Sequence, residues 1–186
     1  MQGFFVTLSA AVLASGALAG VAVEEVEHPA YKSWARHPAG TSVTLKSVTT
    51  TQGVTIVTTK KTTLVKLTDE GAVLETVMTS DATGKEVESP PQTYVQRRMF
   101  PMFAGVKKED IGKPPGSSTR GEETVKLAGK EFKATWFDSK GRVESGETFT
   151  RTWMSDEVPG RLLKAVTKVP DADNMTTVEL IEVKAP

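Results

Sequence analysis

The chain contains no cysteine, and that absence removes disulfide staples, thiolate nucleophiles and thiolate metal ligands together. It also excludes lipid attachment through a lipobox cysteine, so stability must come from a buried core. Histidine is nearly as scarce, with His28 and His37 the two in the chain. They show no metal-ligand spacing, so no metal site is nominated. An excess of one charge is missing too: 23 Lys and Arg face 23 Asp and Glu. A balanced chain has no global field to hold phosphates, which argues against nucleic acid and against an anionic membrane surface as partners. The dyads Lys60-Lys61, Arg97-Arg98 and Lys107-Lys108 are too short to alter that reading.

Charge is absent altogether before Glu24. The segment 4–19 is apolar and rich in small residues, and Ala17-Leu18-Ala19 and Gly20-Val21-Ala22 are consecutive small-x-small sites. This is the pattern of a secretory leader, here without the usual basic n-region. The expected division is a signal peptide over 1–22 and one domain over 23–186, periplasmic or secreted, with no membrane span after cleavage.

What is present is threonine, valine and turn punctuation. One early stretch has helical spacing, Tyr31, Trp34 and Ala35 at i, i+3 and i+4, stopped by Pro38 and Gly40. The rest reads as strands over 42–50, 54–68, 72–80, 93–100, 123–127, 131–137, 147–154, 162–169 and 176–184. Turns are expected at Gln52-Gly53, Asp69-Glu70-Gly71, Thr83-Gly84, Ala128-Gly129 and Lys140-Gly141. A further one is expected at Val158-Pro159-Gly160, where Pro presets i+1 and Gly accepts positive φ at i+2. Connections this short join antiparallel neighbours. The fold class is mainly β: a single strongly curved antiparallel sheet, half-barrel or open barrel, wound as a meander with a short N-terminal helix. Changes of apolar parity at Ile56-Val57 and at Leu180-Ile181 predict bulges. The apolar segment Met99 to Val106 breaks the meander, either as a core plug or as a flap.

Catalytic signatures are missing. There is no G-x-S-x-G elbow, and the triplet Ser155-Asp156-Glu157 sits at a turn. Gly105 to Pro114 ends in Gly112-Lys113, but its glycines are too far apart and Pro114 occupies the hydroxyl position of a phosphate loop. Asp171-Ala172-Asp173-Asn174 lacks the glycine and final glutamate of a calcium loop and reads as a tight turn. Glu75 lies between apolar neighbours, with alternation placing it on the solvated face. No catalytic residue and no cofactor are nominated, and the protein is read as not an enzyme.

The hairpin Gly121 to Lys130 and the element Trp153-Met154-Ser155-Asp156-Glu157-Val158-Pro159-Gly160 resemble segments of uncharacterised secreted bacterial proteins, whose closing strands carry a similar W-x-S-D-E-V-P-G run. Those proteins are in turn similar in architecture to periplasmic lipoprotein carriers of the LolA type. The resemblance implies a curved half-barrel and carries over no site residue. The leading expectation is a non-enzymatic exported domain holding an apolar or lipid ligand in its concave face. Trp34, Met102, Phe103, Trp136 and Trp153 are the candidate ligand-binding residues. The alternative is a structural or protein-interaction module of the cell envelope, with an envelope protein as partner at a sheet edge or at Arg97-Arg98. A hydrolase with a carboxylate pair formed in space is the third reading.

Overall fold

A computed structural model of the chain describes residues 24–81, 85–102 and 105–186. The leader over 1–22, the Thr83-Gly84 turn and Phe103 lie outside the described residues. In chain order the elements are β1 (Glu25–Glu27), α1 (Pro29–Trp34), β2 (Ser42–Thr51), β3 (Val54–Leu67), β4 (Gly71–Asp81), β5 (Glu86–Glu88), β6 (Gln92–Arg97) and β7 (Met99–Pro101). They continue as β8 (Ser117–Leu127), β9 (Lys130–Val143), β10 (Gly146–Met154), β11 (Leu162–Val169) and β12 (Asn174–Lys184).

One antiparallel sheet holds ten of the strands in the order β5-β4-β3-β2-β12-β11-β10-β9-β8, with β6 also on β4. The path does not close, which leaves an open half-barrel. It consists of two meanders, β2 to β6 and β8 to β12, joined where the first and last long strands pair from Ser42↔Lys184 to Thr51↔Asn174. The chain between β6 and β8 connects one edge of the sheet to the other. On the way β7 pairs with β1, and Met102 N–H donates to the Glu24 carbonyl at 2.7 Å.

The helix is shorter than its periodicity suggests. His28 is the N-cap, its Nδ1 accepting from Ala30 N–H at 3.1 Å, and Pro29 opens the first turn where a missing N–H costs nothing. Tight turns form at Gln52-Gly53 and Ala128-Gly129, with φ of 49 and 79 and of 49 and 73, the primed geometry that matches strand twist. Four details correct the sequence reading. Lys140-Gly141 is not a turn: β9 runs on through it, Gly141 facing Thr148, and the chain reverses just before Gly146. β8 begins at Ser117, well ahead of 123, and the expected strand 93–100 is split into β6 and β7. The expected bulge at Ile56-Val57 is absent, Val48↔Val57 and Thr49↔Ile56 being in register; the irregularity of β3 skips Val65 instead. The bulge at Leu180-Ile181 is present, with Ile181 skipped.

The bulges decide where the core lies. Cross-strand partners share a face, and the run Trp136↔Trp153↔Lys164↔Glu179↔Lys46 therefore marks one face across five strands. On β9 the buried Phe132 and Ala134 belong to that face, whereas on β2 the buried Val43 and the core-packed Leu45 belong to the other. The change falls at β11 and β12. Leu163 is the unpaired bulge residue against β10, Leu180 adjoins the bulge against β2, and both are almost wholly buried. Tyr31 and Trp34 of α1 close this core, which extends through Leu64, Ala72 and Leu74.

The Trp153-to-Gly160 element is the clasp beneath α1. Arg161 N–H returns to the Val158 carbonyl at 2.8 Å, around Pro159 and a Gly160 at φ 77. Gly160 N–H donates to Ser33 Oγ at 2.9 Å, and Val158 is fully buried. Ser155 Oγ accepts from Glu157 N–H, and Asp156 pairs with Arg161 at 2.7 Å. Turn chemistry accounts for the whole triplet.

Candidate functional site

Below the core the same face of β9, β10 and β11 carries three successive cross-strand rows. These are Trp136–Trp153–Lys164, Asp138–Arg151–Val166 and Lys140–Phe149–Lys168. Adjacent rows are two residues, hence roughly 6.8 Å, apart. They form a groove of about 600 Å³ whose floor includes Phe149, Trp153 and Val166, with Ser118 and Thr119 of β8 on its rim. That volume is within the ordinary range for small-molecule pockets.

Arg151 organises the middle row. Its guanidinium lies 4.3 Å from the Trp136 ring centre and 5.9 Å from that of Trp153. Its Nε and Nη2 reach the two oxygens of Asp138 at 2.6 and 2.8 Å. The planar fork matches a carboxylate and can stack on rings at the same time. Hydrogen bonds from Arg151 hold the Asp138 carboxyl below the usual carboxylate range, against a smaller opposing effect of desolvation, and Asp138 holds the Arg151 guanidinium more firmly protonated. Thr119 Oγ1 adds a third donor at 3.3 Å. Trp136 can lie against β8 because its partner there is Gly121, where any Cβ would overlap the indole.

Trp153 is fixed from two sides. Its indole N–H donates to Glu123. The Lys164 ammonium sits 5.7 Å from its ring and is bound to Glu179 at 2.6 Å. In the outermost row the Lys140 ammonium lies 5.4 Å from the Phe149 ring.

The five residues nominated from sequence separate into three groups. Trp136 and Trp153, seventeen positions apart in the chain, are direct partners on adjacent strands. Trp34 is buried in the core at 4% exposure, against Gly160, and does not reach the groove. Met102 is half-buried beside β1, and Phe103 lies outside the described residues. Sequence reasoning missed Lys140, Phe149, Arg151 and Lys168 as groove residues. The available signal was the pair of spacings Trp136-x-Asp138-x-Lys140 and Phe149-x-Arg151-x-Trp153, two strands that mix aromatic and charged groups on one face.

No protein-family model matches the chain, and no curated protein matches it in sequence. Among solved structures, the chain is similar to a protein of Bacteroides fragilis with a YmcC-like fold, at 10% identity and a TM-score of 0.47, over 80% of this chain and 97% of that one. It is similar to the MucA/MucB complex of Pseudomonas aeruginosa at 9% identity and TM-score 0.46, over 84% of this chain and 55% of that one. It is similar also to the Mycobacterium tuberculosis lipoprotein LppX at 10% identity and TM-score 0.38, over 85% and 97%. At these identities no residue role passes from those proteins to this one.

Proposed function

We propose that this chain is a non-enzymatic exported domain, periplasmic or secreted, that binds an apolar or lipid-like ligand in the groove over β9, β10 and β11. One observation carries the reading: Phe149 and Val166 floor an open groove and lie outside the buried core of the same strands, while Trp153 both lines the groove and packs against that core. An aromatic floor left in water gains free energy from any apolar cover, at about 25 cal/mol per Å² removed from solvent. The exposure of Phe149, 37%, leaves a substantial part of its ring for a ligand to cover. The experiment is native mass spectrometry of protein purified from its own envelope. Retained lipid, lost in Phe149→Ser, supports the reading; a bare chain that also takes up no fluorescent fatty acyl probe overturns it.

A second reading has its own observation. At the other margin, β5 and β6, each paired to β4, expose Val87, Tyr94 and Val95 at a sheet edge where no further strand pairs among the described residues. Such an edge suits an added strand from an envelope protein. Of the arginine dyad next to it, Arg98 is already bound to Glu27 at 3.1 Å and stacked on Tyr31. A partner captured by wild type and lost in Val87→Lys would favour this reading over the groove.

A further inference from the structure

We infer that the ligand of this groove is an anionic amphiphile, its acidic headgroup held between Lys140 and Lys168 and its tail running over Phe149 and Val166 towards Trp153. The inference rests on the groove reading and adds which end of the ligand lies where. Its ground is the charge balance of the rows. In the row nearest the core, Lys164 is neutralised by Glu179 at 2.6 Å. In the middle row, Arg151 is neutralised by Asp138 at 2.6 Å. In the outermost row Phe149 has a lysine as direct partner on both sides, Lys140 on β9 and Lys168 on β11. Neither makes an ion pair among the described residues. The next row out sets Arg142 against Glu147, in balance by position.

The groove is thus charge-compensated along two of its three rows and cationic at the third. Two strand spacings separate the Lys140 and Lys168 backbones, roughly 10 Å. Lysine side chains from both sides can span that gap to meet on a single carboxylate or phosphate poised above the Phe149 ring. The ring prevents the lysines from being bridged by a protein carboxylate in the same row, since the position between them is occupied. From there an alkyl tail has roughly 13 Å of floor before the tryptophan pair, with Val166 midway and no unpaired charge to desolvate. A neutral amphiphile gains the floor but not the clamp. A cationic one is repelled by the two lysines.

The test uses the full mature chain at pH 7.5 and physiological salt, with Trp136 and Trp153 as intrinsic fluorescent reporters. Three probes with the same tail are titrated below their aggregation thresholds: myristic acid, myristyl alcohol and a myristoyl lysophosphatidate. The two acids are expected to bind about tenfold or more tightly than the alcohol, the usual yield of charge-assisted hydrogen bonds. Lys140→Met with Lys168→Met should bring all three within about twofold of one another at an unchanged melting temperature. The same loss of charge at Lys130→Met with Lys184→Met should leave the preference intact. A preference for the phosphate over the carboxylate would identify a phospholipid-type headgroup; the reverse, a free fatty acid. Alcohol and acid binding equally to wild type would overturn the headgroup inference and leave the groove reading standing. A preference that survives in the Lys140/Lys168 variant, or is lost equally in the Lys130/Lys184 control, overturns it too. Failure of all three probes to bind would overturn the groove reading itself.

Discussion

β9 uses similar residues in opposite ways at its two ends. Towards the clasp, Phe132 and Ala134 are buried, and the surface they face is closed by Leu163, Leu180 and Trp34. A few residues further on, Trp136 on the same face lies instead under a guanidinium that is itself bound to a carboxylate. The difference comes from the neighbours. Bulges at Leu163 and Ile181 turn aliphatic side chains inward opposite Phe132 and Ala134. Opposite Trp136 and Asp138 the register is regular and presents Trp153 and Arg151. An aromatic residue on a sheet is core or binding surface according to what its partner strand supplies, and its own hydrophobicity does not decide between them.

The largest effect should come from the core end. Leu163→Ala deletes a fully buried side chain at the bulge, and should cost about 2–5 kcal/mol by chemical denaturation. Phe149→Ala, at the groove end, should cost far less. Equal losses would erase the distinction between the two ends. Next comes Gly121→Val, which places a side chain where the Trp136 indole lies. It should destabilise by about 1–3 kcal/mol and change the tryptophan emission, whereas the same change in an outward strand position would not. Gly129→Val should cost about 1–2 kcal/mol, because its φ of 73 is one that β-branched residues resist.

A smaller, pH-dependent effect is expected at the clasp. Burial, and then the nearby Arg161 charge, lower the His28 pKa below the usual imidazole value. The neutral ring accepts the Ala30 N–H, and protonation removes that acceptor. The folded-state value lies below the unfolded one, so the cap contributes fully above the ordinary imidazole range. Stability should then fall as pH drops through the depressed range, by about 1 kcal/mol for the cap. His37, also lowered by burial and then by Arg36, acts in the same direction. His28→Asn should flatten part of the acid slope in thermal melts and leave the His37 part; an unchanged slope would mean the cap does not couple to pH. The smallest effect on stability is expected for Arg151→Met, since its ion pair lies in water. Its melting temperature should barely move while tryptophan emission shifts, as the rings lose the cation between them.

Much of this fold can be read from residues alone because its signals are local. Gln52-Gly53, Ala128-Gly129 and Pro159-Gly160 each need a backbone conformation that few other residues supply, and each is a turn. The parity change at Leu180-Ile181 likewise records a bulge directly in sequence. What could not be read is non-local. Nothing near Ser42 announces its partner Lys184 at the opposite end of the chain. Lys140-Gly141 has the composition of a turn, yet Gly141 is held in β9 by its register with Thr148. Threonine shows the same limit. Its abundance indicates strands, but only the register reveals the hydroxyl pairs Thr150–Thr167 and Thr49–Thr176, at 3.0 Å each, on the face opposite the groove. At the site, Trp136 and Trp153 stand out by type. Arg151 between Phe149 and Trp153 looks like an interruption of an apolar face until Asp138 is found opposite it.

The central claim is that the groove floor at Phe149 and Val166 is a binding surface and not part of the core. The direct test is a paired titration and thermal melt of Phe149→Ser against wild type, using a fluorescent fatty acyl probe. The account predicts that wild type takes up the probe, that the variant binds about tenfold more weakly, and that the two melt together. Wild type that takes up no probe, with a variant that melts early, would make Phe149 a core residue and contradict the account.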